Sequence, residues 1–337
     1  MADLSTKYMG INLKNPIIVG ASSLTADLKT IKKIEESNAG AIVIKSLFEE
    51  QIQLERYKFD EELNKNNERY AEMTTLNPPL EHAGPKEHLM WVKKTVESID
   101  IPVIASLNAV NYETWIEYSI ELEKTGVNGL ELNFYSIPKS FNLTGKEIEN
   151  QQLKILNDIK KKVTIPVSVK LSSSYSNMLN IIKKMDNIGV NGFVLFNRFF
   201  QPDIDVYKEK HIFPFNLSRE NDYRMSLRFA GLLYNRISAD ICSSRGIFGG
   251  YDIIKLLLSG STCVQIVSAL YKKDIKYINE MRKDINSWME EKNYKKIEEF
   301  RGKLSNDEVD DKYTYKRAQY VDLLMNPEKL DVKEPLV

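Results

Sequence analysis

The sequence predicts an α/β chain folded as a (β/α)8 TIM barrel with parallel strands, loop insertions and a C-terminal helical extension. Three observations carry this. First, eight short apolar runs alternate with helical stretches. Unbroken apolar strands belong to a parallel sheet covered on both faces, and eight strand–helix units close into a barrel. Second, the chain repeats itself. Ile101-Pro-Val returns as Ile165-Pro-Val, and Gly126-Val-Asn-Gly returns as Gly189-Val-Asn-Gly, in the same order. Such self-similarity points to stacked copies of one βα pair. Third, residues 237–270 read as strand, Gly/Ser-rich turn, helix, Gly stop and strand, a complete βαβ unit. An open doubly wound sheet uses the same ingredients but does not call for eight strands.

The elements follow in order. Residues 15–23 are an apolar strand running into small residues, and 29–36 a helix with charges on one face. Residues 41–46 form the second strand, ending in Lys45 and Ser46. Residues 47–80 are acidic, Asn-rich and long for a loop, so they are a lid or a dimer element. Helices at 85–98, 112–125, 146–162 and 175–188 alternate with strands at 101–108, 128–133, 165–170 and 192–197. A second insertion, 198–222, is rich in aromatics and Pro. Arg198, Phe199, Phe200 and Tyr207 there cover either the site or a dimer surface. A helix at 224–236 leads to the strand at 237–242, the turn at 243–250, the helix at 252–258 and the last strand at 263–267; Ser268 opens a further helix. The expected division is a barrel over 1–275 and a helical extension over 276–337 packed on it. The extension has amphipathic spacing at 288–292 and 295–304, an acidic turn at 307–311 and a loosely packed arm from 313.

Composition sets the setting. Lys+Arg and Asp+Glu are both 47, so nothing points to nucleic acid or an anionic membrane surface. No apolar run approaches the roughly 18 residues of a membrane span, and the N-terminus lacks a secretory pattern. Two cysteines give neither a disulfide framework nor a metal motif, and a cytoplasmic protein is expected. His82, His88 and His211 lack metal-ligand spacing, so no metal is expected. Trp91, Trp115 and Trp288 are packing anchors, and Cys242 and Cys263 core residues.

Chemistry in a TIM barrel sits at the C-terminal ends of its strands. Those ends carry Gly20, Ala21 and Ser22, Lys45 and Ser46, Asn108, Asn133, Lys170 and Asn197. Ser244, Arg245 and Gly246 follow strand seven, and Val267 and Ser268 follow strand eight, the usual phosphate position. Singly, such residues cap turns or reach to solvent. Three asparagines and two lysines converging on one mouth make a binding site. Amides read a polar heterocycle with donors and acceptors together, and lysines stabilise the negative charge of a reduced flavin ring. The set suits FMN, phosphate on loops seven and eight and ring over the mouth.

At this point the chain resembles the dihydroorotate dehydrogenase family, its soluble class 1 branch in particular. The resemblance covers about residues 4–275. It rests on STKYMGINLKNPIIVGAS, AIVIKS, IPVIASLN, GLELN, IPVSVKL, GFVLFN and RGIFGGYDIIKLLLSGSTCVQIVSAL, in that order. It implies an FMN barrel that oxidises dihydroorotate to orotate. Gly20, Ala21 and Ser22 would lie against the flavin, and Lys45 would touch ring and substrate. Asn108, Asn133, Lys170 and Asn197 would contact flavin or substrate, and Ser244, Arg245, Gly246, Val267 and Ser268 would hold the phosphate. The resemblance also implies a homodimer. The electron acceptor would be fumarate, or NAD through an iron–sulfur partner subunit.

The departures fall mostly on the substrate side. The family's N-x-S-C-P-N loop, or its Ser variant, reads Asn133-Phe-Tyr-Ser-Ile-Pro138, leaving Ser136 at the base position and Pro138 where an asparagine grips the substrate. The N-S-M-G-L-P-N loop is missing, with only Asn77 and Gly84 as survivors in Leu76 to Gly84. Arg245 and Val267 replace phosphate-loop glycines, and no Gly-rich turn occurs near Met225 to Arg228. Two other functions therefore stay open: an FMN barrel with a different substrate, and a flavin-free Schiff-base aldolase using Lys45 or Lys170.

Overall fold

A computed structural model describes residues 2–53, 85–135, 140–199, 201–212, 217–308, 315, 321, 324 and 325. A short antiparallel hairpin comes first, β1 (Thr6–Tyr8) and β2 (Ile11–Leu13). The barrel strands follow: β3 (Ile17–Val19), β4 (Ala41–Val43) continued by β5 (Leu47–Phe48), β6 (Val103–Asn108), β7 (Gly129–Asn133), β8 (Val167–Leu171), β9 (Gly192–Leu195), β12 (Asp240–Ser244) and β13 (Cys263–Ile266). All neighbours pair in parallel. β13 returns to β3 and β4 pairs β6, so the sheet is closed at eight strand positions. The predicted barrel is correct, and the open sheet is excluded.

Helices cover the outside: α1 (Leu28–Glu36), α2 (Pro85–Val96), α3 (Tyr112–Lys124), α4 (Gly145–Lys162), α5 (Met178–Ile188), α6 (Arg224–Leu233), α7 (Gly250–Ser259), α8 (Ser268–Lys273) and α9 (Tyr277–Glu291). Thr144 starts α4 by accepting from Glu147 N while Glu147 reaches back to Thr144 N, a capping box. Left-handed Gly189 ends α5. Outward-facing strand residues such as Val19, Ile42, Leu130, Val169 and Leu195 pack on the helices. Alternate residues, among them Ile18, Val43, Ile104, Val194, Cys242 and Cys263, fill the barrel interior. Both cysteines are buried there.

The internal repeat has a physical meaning. Asn128 Oδ1 accepts from Val103 N at 2.8 Å, and Asn191 Oδ1 accepts from Val167 N at 3.0 Å. Each GVNG asparagine thus fixes the start of the strand before its own. Helix-end carboxylates do the same. Glu35 accepts from Asp100 N and Ile101 N, Glu123 from Thr164 N and Ile165 N, and Asp186 from Ser238 N and Ala239 N.

The β1–β2 hairpin plugs the end of the barrel opposite the mouth and precedes the first strand expected from the sequence. Tyr8 and Met9 are buried against Gly192 and Gly129, where a Cβ would meet Tyr8 Oη at 2.8 Å and Met9 Cε at 3.2 Å. Met9 N donates to Asp240 Oδ2 at 2.7 Å, tying plug to β12. The insertion after β9 is also not pure loop. It carries the exposed antiparallel pair β10 (Asp203–Asp205) and β11 (Lys210–Ile212). Residues 295–304, expected as a helix, contain a single 3-10 turn at Ile297–Glu299. Phe300 there packs edge-on against Trp288 and at a tilt against Tyr294.

Candidate active site

The mouth is built by strand parity. On β7, Glu131 and Asn133 share one face; on β8, Ser168 and Lys170 do. Asn133 lies level with Lys170 in the β7–β8 register. Asn108, at the end of β6, donates to Asn133 O at 2.7 Å. Asn197, just past β9, donates to Asn133 Oδ1 and accepts from Arg198 N at 2.8 Å. The three predicted asparagines therefore form one linked cluster.

A cavity opens beside them. It is lined by Ala21, Lys170, Asn197, Arg198, Leu217, Ser218, Ser244, Arg245, Gly246, Gln265, Val267 and Ser268, among others. Gly20 borders it, since a Cβ there would come 3.1 Å from Val267 Cγ2 and 3.2 Å from Gln265 Oε1. Ser22 turns aside, its hydroxyl donating to Gly20 O. Ser244 continues β12 rather than opening the loop, and its hydroxyl donates to Phe196 O at 2.8 Å. Ser268 Oγ accepts from Ser218 N at 2.9 Å.

The loop after β12 is basic. Arg245 and Gly246 both take positive φ, +77° and +63°. At Gly246 a Cβ would lie 2.6 Å from Arg219 O and from Asp222 N. Arg245 Nε is buried without a hydrogen-bond partner. Burial pushes the Arg245 guanidinium below its ordinary value; Asp222 opposes that and Arg198 adds to it. Arg198 itself pairs with Asp222 at 3.2 Å.

Lys45 stands apart. Between its pairings with β6, the second strand has three residues, 44 to 46, where β6 has two, 105 and 106. The extra residue is a β-bulge, a device that re-aims a side chain. Lys45 N turns away to Thr25 O at 3.3 Å. Lys45 and Ser46 line a second cavity with Ala26, Gln51, Glu87, His88 and Trp91. Ser46 Oγ is 2.7 Å from Ser106 Oγ. His88 is held neutral, pushed down to about 4 by burial and by the Lys45 charge, and its Nε2 is buried without a partner. A third cavity is lined by Phe134, Gln152, Ser172, Tyr175 and Phe199 among others. Burial raises the Tyr175 hydroxyl to about 12, and it donates to Gln152 Oε1. Ser136 and Pro138, like residues 54–84, lie outside the described residues.

The sequence profile of the family described as dihydroorotate dehydrogenase matches residues 3–289. The chain belongs to the dihydroorotate dehydrogenase family. It is 29% identical over 307 residues to the catalytic subunit of the NAD(+)-type dihydroorotate dehydrogenase B of Thermoplasma volcanium, covering 90% of this chain and 98% of the relative. The corresponding subunit of Methanocaldococcus jannaschii is 26% identical over 305 residues, covering 86% and 94%. The fumarate-type dihydroorotate dehydrogenase A of Lactobacillus delbrueckii subsp. bulgaricus is 24% identical over 292 residues, covering 82% and 90%.

Members of the dihydroorotate dehydrogenase family are FMN-binding oxidoreductases acting on a CH–CH bond in pyrimidine biosynthesis. The donor set of this chain fits FMN. A buried guanidinium nitrogen without a partner, serine hydroxyls and a left-handed Arg-Gly turn suit a phosphate. Lys170 and Asn197 in the same cavity, with Asn133 and Asn108 linked to Asn197, suit a ring with acceptors and donors on its edge.

Two residues of this site escaped sequence reasoning. Glu131 is 1% exposed, and its Oε2 accepts from Gln265 Nε2 at 2.5 Å. Gln265 Oε1 accepts from Lys170 Nζ at 3.1 Å. The available signal was period two: Glu131 stands two before Asn133, and Gln265 two before Val267. No helix among the described residues is long and apolar enough to cross a membrane.

Proposed function

We propose that the protein is a dihydroorotate dehydrogenase that oxidises dihydroorotate to orotate on FMN. The observation that carries this reading is the cavity joining Lys170 and Asn197 to the Arg245–Gly246 turn in a chain of this family. FMN, when bound, supplies the acceptor for the hydride that leaves C6 of the substrate. Ser136 takes the proton from C5. A serine hydroxyl is a weak base, so it passes the proton on through water or a neighbouring group. Asn108, Asn133 and Asn197 present amides to the substrate and ring edges. Lys45 pairs with the substrate carboxylate from the side of the second cavity, which it lines with Ser46. Lys170 stabilises negative charge at the N1 end of the ring. Ser244, Arg245, Gly246, Val267 and Ser268 hold the phosphate, with Gly20, Ala21, Ser22 and Ser46 against the flavin.

The names of the NAD(+)-type relatives support a partner subunit that carries electrons onward. Two cysteines in the whole chain are too few for a cluster of its own. Homodimerisation, a cytoplasmic location and the split into a barrel over 1–275 and a packed extension over 276–337 belong to the same reading.

Pro138 in place of the substrate asparagine favours a second reading, a flavoprotein acting on a related ring. One experiment separates the two. The FMN-loaded protein is mixed with dihydroorotate without oxygen in a stopped flow. Bleaching of the flavin bands supports dihydroorotate; unchanged bands with full FMN occupancy reject it in favour of another substrate. A protein that takes up no FMN rejects both.

A further inference from the structure

We propose that Glu131 is a positioning residue for Lys170, aiming its ammonium at the flavin and setting the reduction potential of the bound ring. The proposal rests on the reading of Lys170 as the residue at the N1 end of FMN. It adds a buried charge beneath that lysine and gives it a task.

Glu131, Lys170 and Gln265 come from β7, β8 and β13, and β13 is not a sheet neighbour of the other two. Their side chains meet inside the barrel. Gln265 is clamped in one orientation. Its carbonyl accepts from Lys170 Nζ at 3.1 Å and its amide donates to Glu131 Oε2 at 2.5 Å. The flipped amide would set N–H groups against the ammonium and an oxygen against the carboxylate. The other carboxylate oxygen, Oε1, is buried with no hydrogen bond, and Lys170 Nζ stands 3.6 Å from it. Space for the clamp comes from Gly20, where a Cβ would come 3.2 Å from Gln265 Oε1.

A buried carboxylate is a costly way to fill space, and a well-packed apolar side chain is often as stable. Its cross-strand neighbours are the small, uncharged Ser106 and Ser168, and the rest of the interior is apolar at Val43, Ile104, Val194 and Cys242. Facing Glu131 are Lys170 from above and the Tyr8 phenol from the plug below. Glu131 therefore acts on Lys170 twice. It fixes where the ammonium points, and it subtracts from the positive field that the lysine presents to the mouth. Reduced flavin carries negative charge at N1, so weakening that field lowers the potential.

The test is the two-electron midpoint potential of the FMN-loaded full chain. Glu131→Gln keeps the shape and removes the charge. It should raise the midpoint by about 30 mV, a tenfold shift of the reduction equilibrium. Glu131→Met, apolar and similar in volume, should move it the same way and serves if the amide variant does not fold. Lys170→Gln should lower the midpoint, and Glu131→Gln in that background should raise it less than it does in the wild type. Glu131→Asp, which restores a charge, should bring the value back toward wild type. A purely structural role would change stability and leave the midpoint alone. FMN-loaded E131Q and E131M with wild-type midpoints would overturn the inference while leaving the functional reading intact. Wild-type protein that takes up no FMN would overturn the functional reading, and the inference with it.

Discussion

Single side chains at the mouth divide by what surrounds them. Arg245 opens the turn after β12, and its Nε is buried without a partner. A guanidinium in that state is matched by an anion. Arg245→Gln should weaken FMN binding about tenfold or more and leave riboflavin binding nearly unchanged, by fluorescence titration. Ser136 is the proposed base. Ser136→Ala should slow flavin reduction by dihydroorotate by about 10²- to 10⁴-fold while FMN stays bound. His88 carries the clearest pH signature. Its folded value of about 4 lies below the ordinary 6.5 because burial and Lys45 disfavour its charged form. The unfolded chain takes up a proton below 6.5 and the folded chain does not. Stability is therefore full above pH 6.5 and falls as the pH drops toward 4, by on the order of 3 kcal/mol. His88→Gln should flatten that slope in urea titrations run across this range. An equally steep slope in the variant would assign it elsewhere.

Elements matter where backbone rather than side chain decides. The turn after β12 needs left-handed geometry at two successive residues, and at the second a Cβ would strike Arg219 O and Asp222. Gly246→Ala should cost about 2 kcal/mol or more in thermal unfolding and weaken FMN binding with it. The bulge at residues 44–46 re-aims Lys45, and the sequence reading of an unbroken strand over 41–46 missed it. Buried Glu49 fixes the far side of the same rim. Its carboxylate accepts from Val110 N and Asn111 N, tying the start of the first insertion to the loop after β6.

For the molecule as a whole, the plug and the closed sheet set the stability. Tyr8 is 1% exposed and fills the end of the barrel against Gly192. Tyr8→Ala should cost about 3–5 kcal/mol, read as a lowered urea midpoint with little change in the spectrum of bound FMN. A variant whose stability matched wild type would mean that the hairpin is a loose appendage. The 2.7 Å bond from Met9 N to Asp240 argues for a fixed one.

The barrel is legible in the amino-acid sequence alone. The period of its apolar runs, their number and the repeated IPV and GVNG segments are local properties, and closure follows from eight covered parallel strands. The sequence also places Asn108, Asn133, Lys170 and Asn197 at strand ends, because a strand end is legible from where the apolar run stops. Which of these groups meet depends on the folded chain. A one-residue bulge sent Lys45 to a different cavity from Lys170, and no composition or period in 41–46 records it. The Glu131–Gln265–Lys170 clamp joins strands far apart in sequence, and an inward glutamate within an apolar run reads as one more residue of a strand. The plug was overlooked for the same reason. Residues 6–13 make a hairpin like many others until the closed sheet gives Tyr8 and Met9 an end to fill. Contacts across a barrel depend on registers set by the whole sheet, whereas strands and helices depend on the pattern within each segment.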